Sequence, residues 1–62
     1  MVFYVAKIVD EYGLNYHIYD IGDKYLAVGT DYNGKPFGHW TKSSYKQAMD
    51  FVLLIAHKGV MT

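Results

Sequence analysis

The sequence predicts an α+β domain: a three-stranded antiparallel sheet with one C-terminal helix packed on one face, in β-β-β-α order, with a short fourth strand as an option. Three observations predict it. Apolar and polar residues alternate through the N-terminal half. Glycine-bearing turn sequences cut that alternation into strands. From Tyr45 to Lys58 the apolar spacing becomes helical.

The first strand is read over Val2 to Val9, rich in β-branched and aromatic residues. Asp10-Glu11-Tyr12-Gly13 supplies turn chemistry. The second strand runs from Leu14 to about Ile21, with Leu14, Tyr16 and Ile18 on one face and Asn15, His17 and Tyr19 on the other. Gly22-Asp23 fits a two-residue hairpin loop, and Lys24 to Thr30 follows as the third strand, with Leu26 and Val28 expected on one face. Asn33-Gly34 is a further turn signal. Pro36 and Gly38 weaken a strand after it, so Phe37 to Trp40 is either a short fourth strand or a loop whose Trp40 plugs the end of the core.

The helix carries signals at both ends. Ser44 and Gln47 fit a capping box. His57 and Lys58 suit the negative end of the helix dipole, and Gly59 is placed for a left-handed C′ residue with Val60 touching Ile55. Tyr45, Ala48, Met49, Val52 and Ala56 share the face expected to lie on the sheet, against Tyr4, Ala6, Ile8, Leu14, Tyr16, Ile18, Leu26 and Val28.

Sixty-two residues make one domain, 1–62. A chain this short buries only about 60% of its unfolded surface and is marginally stable unless something reinforces it. There is no cysteine, which excludes disulfides and thiolate metal sites together, and His17, His39 and His57 lack ligand spacing. No metal and no cofactor is expected. The composition, 52% hydrophobic and 18% aromatic, is that of a folded chain. Six lysines balance six acids without any arginine, which argues against duplex binding. The apolar run Phe51 to Ala56 is far short of the ~20 residues of a membrane span, and a cytoplasmic protein with no membrane contact is expected.

The helix has more apolar residues than one sheet face needs. Gln47, Phe51, Leu54 and Lys58 form a second stripe at helical spacing, with Ile55 beside it. Either the Asp31–Trp40 segment folds over this stripe, or a second copy covers it. A twofold contact is self-complementary, so the homodimer interface is expected at Gln47, Phe51, Leu54, Ile55 and Lys58. One helix covers one sheet face, which leaves Phe3, Val5, Lys7, Val9, Asn15, His17, Tyr19, Tyr25 and Ala27 for the other. Of these, Phe3, Val5, Lys7, His17, Tyr19 and Tyr25 are candidates for a partner-binding face, since tyrosine gives large contact area at low entropic cost. Cross-strand pairing alone is the competing account.

No catalytic constellation emerges. Gly34-Lys35-Pro36-Phe37-Gly38 lacks the order of a phosphate-binding loop. Ser43 and Ser44 are explained as helix caps, Asp10 and Glu11 diverge as turn neighbours, and His17 and Asp20 point to opposite faces. The order of three strands and a helix is similar to that of sheet-reading DNA-binding domains, such as plant AP2-type and integrase arm-binding modules. The arginines of those domains are absent here, and no residue role is carried over.

The expected function is a small non-enzymatic protein-binding module, homodimeric through its helix, that occludes or bridges an unidentified partner protein. Phage and mobile-element accessory proteins often have this size. The alternative is a nucleic-acid-binding domain using the aromatic sheet face with Lys7, Lys24, Lys35 and Lys42. A structural subunit or enzyme fragment completed by another chain is the third class.

Overall fold

The computed structural model describes residues 1–62. Its elements are β1 (Phe3–Val9), β2 (Asn15–Asp20), β3 (Tyr25–Thr30), β4 (Pro36–Lys42), α1 (Tyr45–Ile55) and β5 (Val60–Met61). All strands join one antiparallel sheet in the order β4-β3-β2-β1-β5, and α1 packs on one face of it. The α+β class stands, but the three-stranded count does not. Four strands precede the helix and a short fifth follows it. Pro36 is tolerated because it is the first residue of an edge strand, where a missing N–H disturbs little of the ladder. With β4 in place, the three-strand-then-helix order shared with the DNA-binding modules is lost.

The hairpins β1–β2 and β3–β4 are closed by the same five-residue turn, Asp10-Glu11-Tyr12-Gly13-Leu14 and Asp31-Tyr32-Asn33-Gly34-Lys35. Asp10 Oδ1 accepts the N–H groups of Tyr12 and Leu14 at 2.9 and 3.0 Å. Asp31 Oδ1 accepts those of Asn33 and Lys35, both at 2.9 Å. In each turn the aspartate carbonyl accepts the glycine N–H, and the aspartate N–H donates to the fifth residue's carbonyl. Gly13 and Gly34 adopt φ of 81° and 83°, a region that side chains disfavour. The Gly22-Asp23 hairpin forms as expected, with the Ile21 N–H donating to the Lys24 carbonyl.

That short loop sets β3 against the sequence reading. Tyr19 lies opposite Leu26, Ile18 opposite Ala27, and His17 opposite Val28. Ile18 is buried under α1, so its partner Ala27 is buried there too, and Leu26 and Val28 turn to the other face. A two-residue loop and an inward Leu26 are incompatible once Ile18 points inward. A second departure lies in β1, where an irregularity between Tyr4 and Ala6 leaves Val5 without a partner. The strand changes phase there, and Tyr4 joins the face of Tyr19 rather than the core.

The core comprises Ala6, Ile8, Tyr16, Ile18 and Ala27 from the sheet, Ala48 and Val52 from the helix, and Ala56 at its C-cap. The helix face is the one expected. Alanines on both sides bring backbone close to backbone, and Ile8, Ile18 and Val52 fill the centre completely. Leu14, Tyr25, Trp40, Met49 and Phe51 pack around this centre. Trp40 does seal the core's edge, but from strand β4 instead of a loop. Phe37 stands edge-on to Tyr16 at 5.9 Å and to Trp40 at 6.4 Å, over the bare backbone of Gly29.

At the start of α1 the Ser44 hydroxyl accepts the Gln47 N–H at 3.1 Å, as a cap should. The reciprocal half of the box is absent. Gln47 Oε1 instead accepts from the Ser43 hydroxyl at 2.7 Å. The helix ends at Ile55 rather than Lys58, because Ala56 is already extended. Lys58, not Gly59, takes the left-handed φ of 52°. Gly59 packs so closely on Ala56 and Ile8 that a Cβ there would lie 2.8 Å from each. The chain then enters β5, where Val60 pairs with Val9 and Met61 with Ile8.

Candidate functional site

Two surfaces stand out. The first is the sheet face that α1 leaves open. Its rows are set by the ladder: Lys7, His17, Val28 and His39 form one, and Tyr4, Tyr19, Leu26 and Thr41 form the next. Of the residues expected on a partner-binding face, Lys7, His17 and Tyr19 lie here together. Phe3 and Tyr25 do not. Both pair with Asp20, whose position by register is on the helix side of the sheet, and Tyr25 meets Tyr45 of α1 edge-on at 6.0 Å. Val5 sits at the unpaired position of β1. Sequence reading missed Tyr4, Leu26, Val28 and His39 on this face. The Gly22-Asp23 loop length was a sufficient signal for Leu26 and Val28.

His17 organises the centre of the open face. Its Nδ1 lies 3.0 Å from the Tyr4 hydroxyl and its Nε2 lies 3.2 Å from Thr30 Oγ1. Each hydroxyl is both donor and acceptor, so a neutral ring is satisfied at both nitrogens. Burial, helped by the nearby Lys7 ammonium, holds the His17 pKa below the ordinary histidine value. Tyr4 and Tyr19 rings meet at 5.3 Å with a tilt of 55°, so they brace each other across the strands. Beside them lies an open depression of about 660 Å³ lined by Leu26, Val28, Pro36, Phe37, Gly38 and His39.

Charge is unevenly placed. The strand residues of the open face include no carboxylate. Asp10 and Asp31 are engaged in their turns, and Glu11 contacts His57 and Lys58. Asp50 pairs with Lys46 on the helix at 2.7 Å, and Asp20 caps the Gly22 N–H. Lys7 is left on the open face, with Lys24 entering β3 at its end.

The second surface is the outer side of α1. Leu54 is 82% exposed, with Leu53 and Ile55 also exposed on either side of it. Gln47, expected beside Leu54, is exposed as well, but Lys58 lies beyond the end of α1 and turns to Glu11, so it does not continue the stripe. Phe51 differs from these. Trp40 of β4 covers it at 5.4 Å, and Lys42 Nζ stands 4.2 Å above its ring. The Asp31–Trp40 segment therefore shields Phe51 as part of a hairpin and leaves Leu54 uncovered.

The end of the sheet nearest the helix exit holds a third group that sequence reading did not assemble. Glu11 contacts both His57 and Lys58, Tyr12 stacks on His57 at 5.0 Å, and the Glu11 N–H donates to the His57 carbonyl. These contacts tie the first turn to the helix exit. No group of three or more His, Cys, Asp or Glu side chains converges as metal ligands would, and no helix is long and apolar enough to cross a membrane. No family model, no curated protein and no solved structure matches this chain.

Proposed function

We propose that this chain is a cytoplasmic, non-enzymatic protein-binding module that pairs with a second copy through α1 and offers its open sheet face to a partner protein. The observation that carries the reading is Leu54. It is 82% exposed in a molecule with only eight buried hydrophobic core residues. Leu53 and Ile55, each partly covered, extend the apolar surface on either side of it. A twofold axis near Leu54 would bring this surface against itself, with Gln47 of the same helical stripe at its polar border. Covering such side chains contributes roughly 1.5–3 kcal/mol for each one fully buried, a large fraction of a small domain's stability.

Sedimentation equilibrium tests it. The wild type is expected to reach a dimer in the micromolar range, and Leu54→Asp is expected to remain monomeric. Because Leu54 is exposed in the monomer, the substitution costs the fold only about 1 kcal/mol, from the lower helix propensity of aspartate and its place at the negative end of the helix dipole. Circular dichroism should be unchanged. A wild type that stays at the mass of one chain, 7.1 kDa, at every concentration tested removes the dimer from the reading.

A further inference from the structure

The protein-binding reading leaves the partner's chemistry open, and the open face constrains it. We infer that this face takes an extended acidic segment of a partner polypeptide, with one apolar side chain seated over Leu26 and Val28 and carboxylates reaching Lys7, Lys24 and His39. The inference rests on the protein-binding reading and specifies its ligand.

Three features combine. The chain is neutral overall, yet all its acids lie on turns, on the helix or on the helix side of the sheet. The strand residues of the open face therefore present lysine and histidine without an opposing carboxylate, and an incoming anion meets no like charge there. The depression beside His39 is lined by aliphatic Leu26, Val28 and Pro36 and by Phe37, whose ring is engaged edge-on with Tyr16 and Trp40. That lining suits a leucine- or valine-sized side chain rather than a stacked base.

The row Lys7, His17, Val28, His39 crosses four strands spaced ~4.8 Å apart, or ~14 Å in all, which about four or five extended residues span. An apolar residue over Val28 thus places a carboxylate two or three positions away within reach of Lys7. Nucleic acid fits less well. There is no arginine to pair with phosphates, and His17 and Tyr19 are half-buried with their rings in tilted contact with Tyr4.

The test titrates three labelled probes into the protein: a short peptide of glutamate and leucine with glutamate in excess, its lysine-for-glutamate counterpart, and an oligothymidylate of equal charge. Amide shifts on the open face report where each binds. The acidic peptide is expected to bind at the open face, to weaken with added salt, and to lose about fivefold or more in affinity with either Lys7→Glu or Lys24→Glu. Leu26→Ser, at a half-buried position, should weaken it as well, with circular dichroism checking that the fold is retained. Equal binding of the lysine peptide, or no shift of open-face amides at about millimolar acidic peptide, overturns the inference and leaves the dimer untouched. Preference for oligothymidylate overturns both the inference and the protein-binding reading. Repeating the titration on Leu54→Asp separates the two questions, since the open face lies on the opposite side of the sheet from α1.

Discussion

The Tyr4 hydroxyl of β1 rests 3.0 Å from Nδ1 of His17 on β2. This contact exists because β1 changes phase at Val5 and swings Tyr4 onto the open face. Tyr4→Phe keeps the ring against Tyr19 and removes only the hydroxyl. The expected loss is about 0.5–1 kcal/mol, the value of one partly exposed hydrogen bond. Urea denaturation should show a lower midpoint with an unchanged slope.

His17 also gives stability a pH dependence. Its folded pKa lies below the unfolded value because burial and Lys7 disfavour the cation. Below the ordinary histidine value of 6.5 the unfolded chain therefore binds a proton that the folded chain refuses. Stability falls as pH drops through that window and levels off below the folded pKa. Urea midpoints measured from neutral pH downward should show the fall, and His17→Gln should flatten it. A slope that survives the substitution would assign the effect to other groups.

The paired turns give an internal comparison. Asp10 is only 6% exposed, whereas Asp31 is more open. Removing either carboxylate strands two backbone N–H groups. Asp10→Ala is expected to cost about 1–3 kcal/mol. Asp31→Ala should cost less, because water reaches the freed donors. Thermal unfolding of the two variants checks the order.

Gly59 and Gly29 are both closely approached, by neighbours of different freedom. A Cβ at Gly59 would meet Ala56 and Ile8, which are buried and unable to yield. Gly59→Ala is expected to cost about 1–3 kcal/mol. At Gly29 the obstacle is the ring of Phe37, which is half exposed and free to swing outward. Gly29→Ala should therefore cost less, and it should shift the fluorescence of Trp40, which touches that ring.

What the residues disclosed in advance was whatever depends on near neighbours. The β1–β2 and β2–β3 reversals, the Ser44 cap and the Ala48–Val52–Ala56 face follow from short-range chemistry and were legible. The orientation of β3 was also within reach, since a two-residue loop after an inward Ile18 forces Leu26 outward. The phase change at Val5 leaves no mark in composition. Pro36 argues against a central strand but not against the edge position that β4 occupies. Strand β5 is two residues long and owes its existence to the free edge of β1, a relationship no local window contains. Gly59 sits where backbone freedom is the obvious reason for a glycine, whereas its value here is the absence of a side chain against Ile8.

The pairing of Ile8 with Met61 joins the two ends of the sequence. β1 precedes the other elements in the chain, yet its outer border gains a neighbour only once β5, beyond α1, has formed. Until then that border, with exposed Phe3, Tyr4 and Val5 along it, is open to any extended chain nearby. A chain in which β5 has not formed would thus carry an adhesive rim that β5 otherwise partly covers.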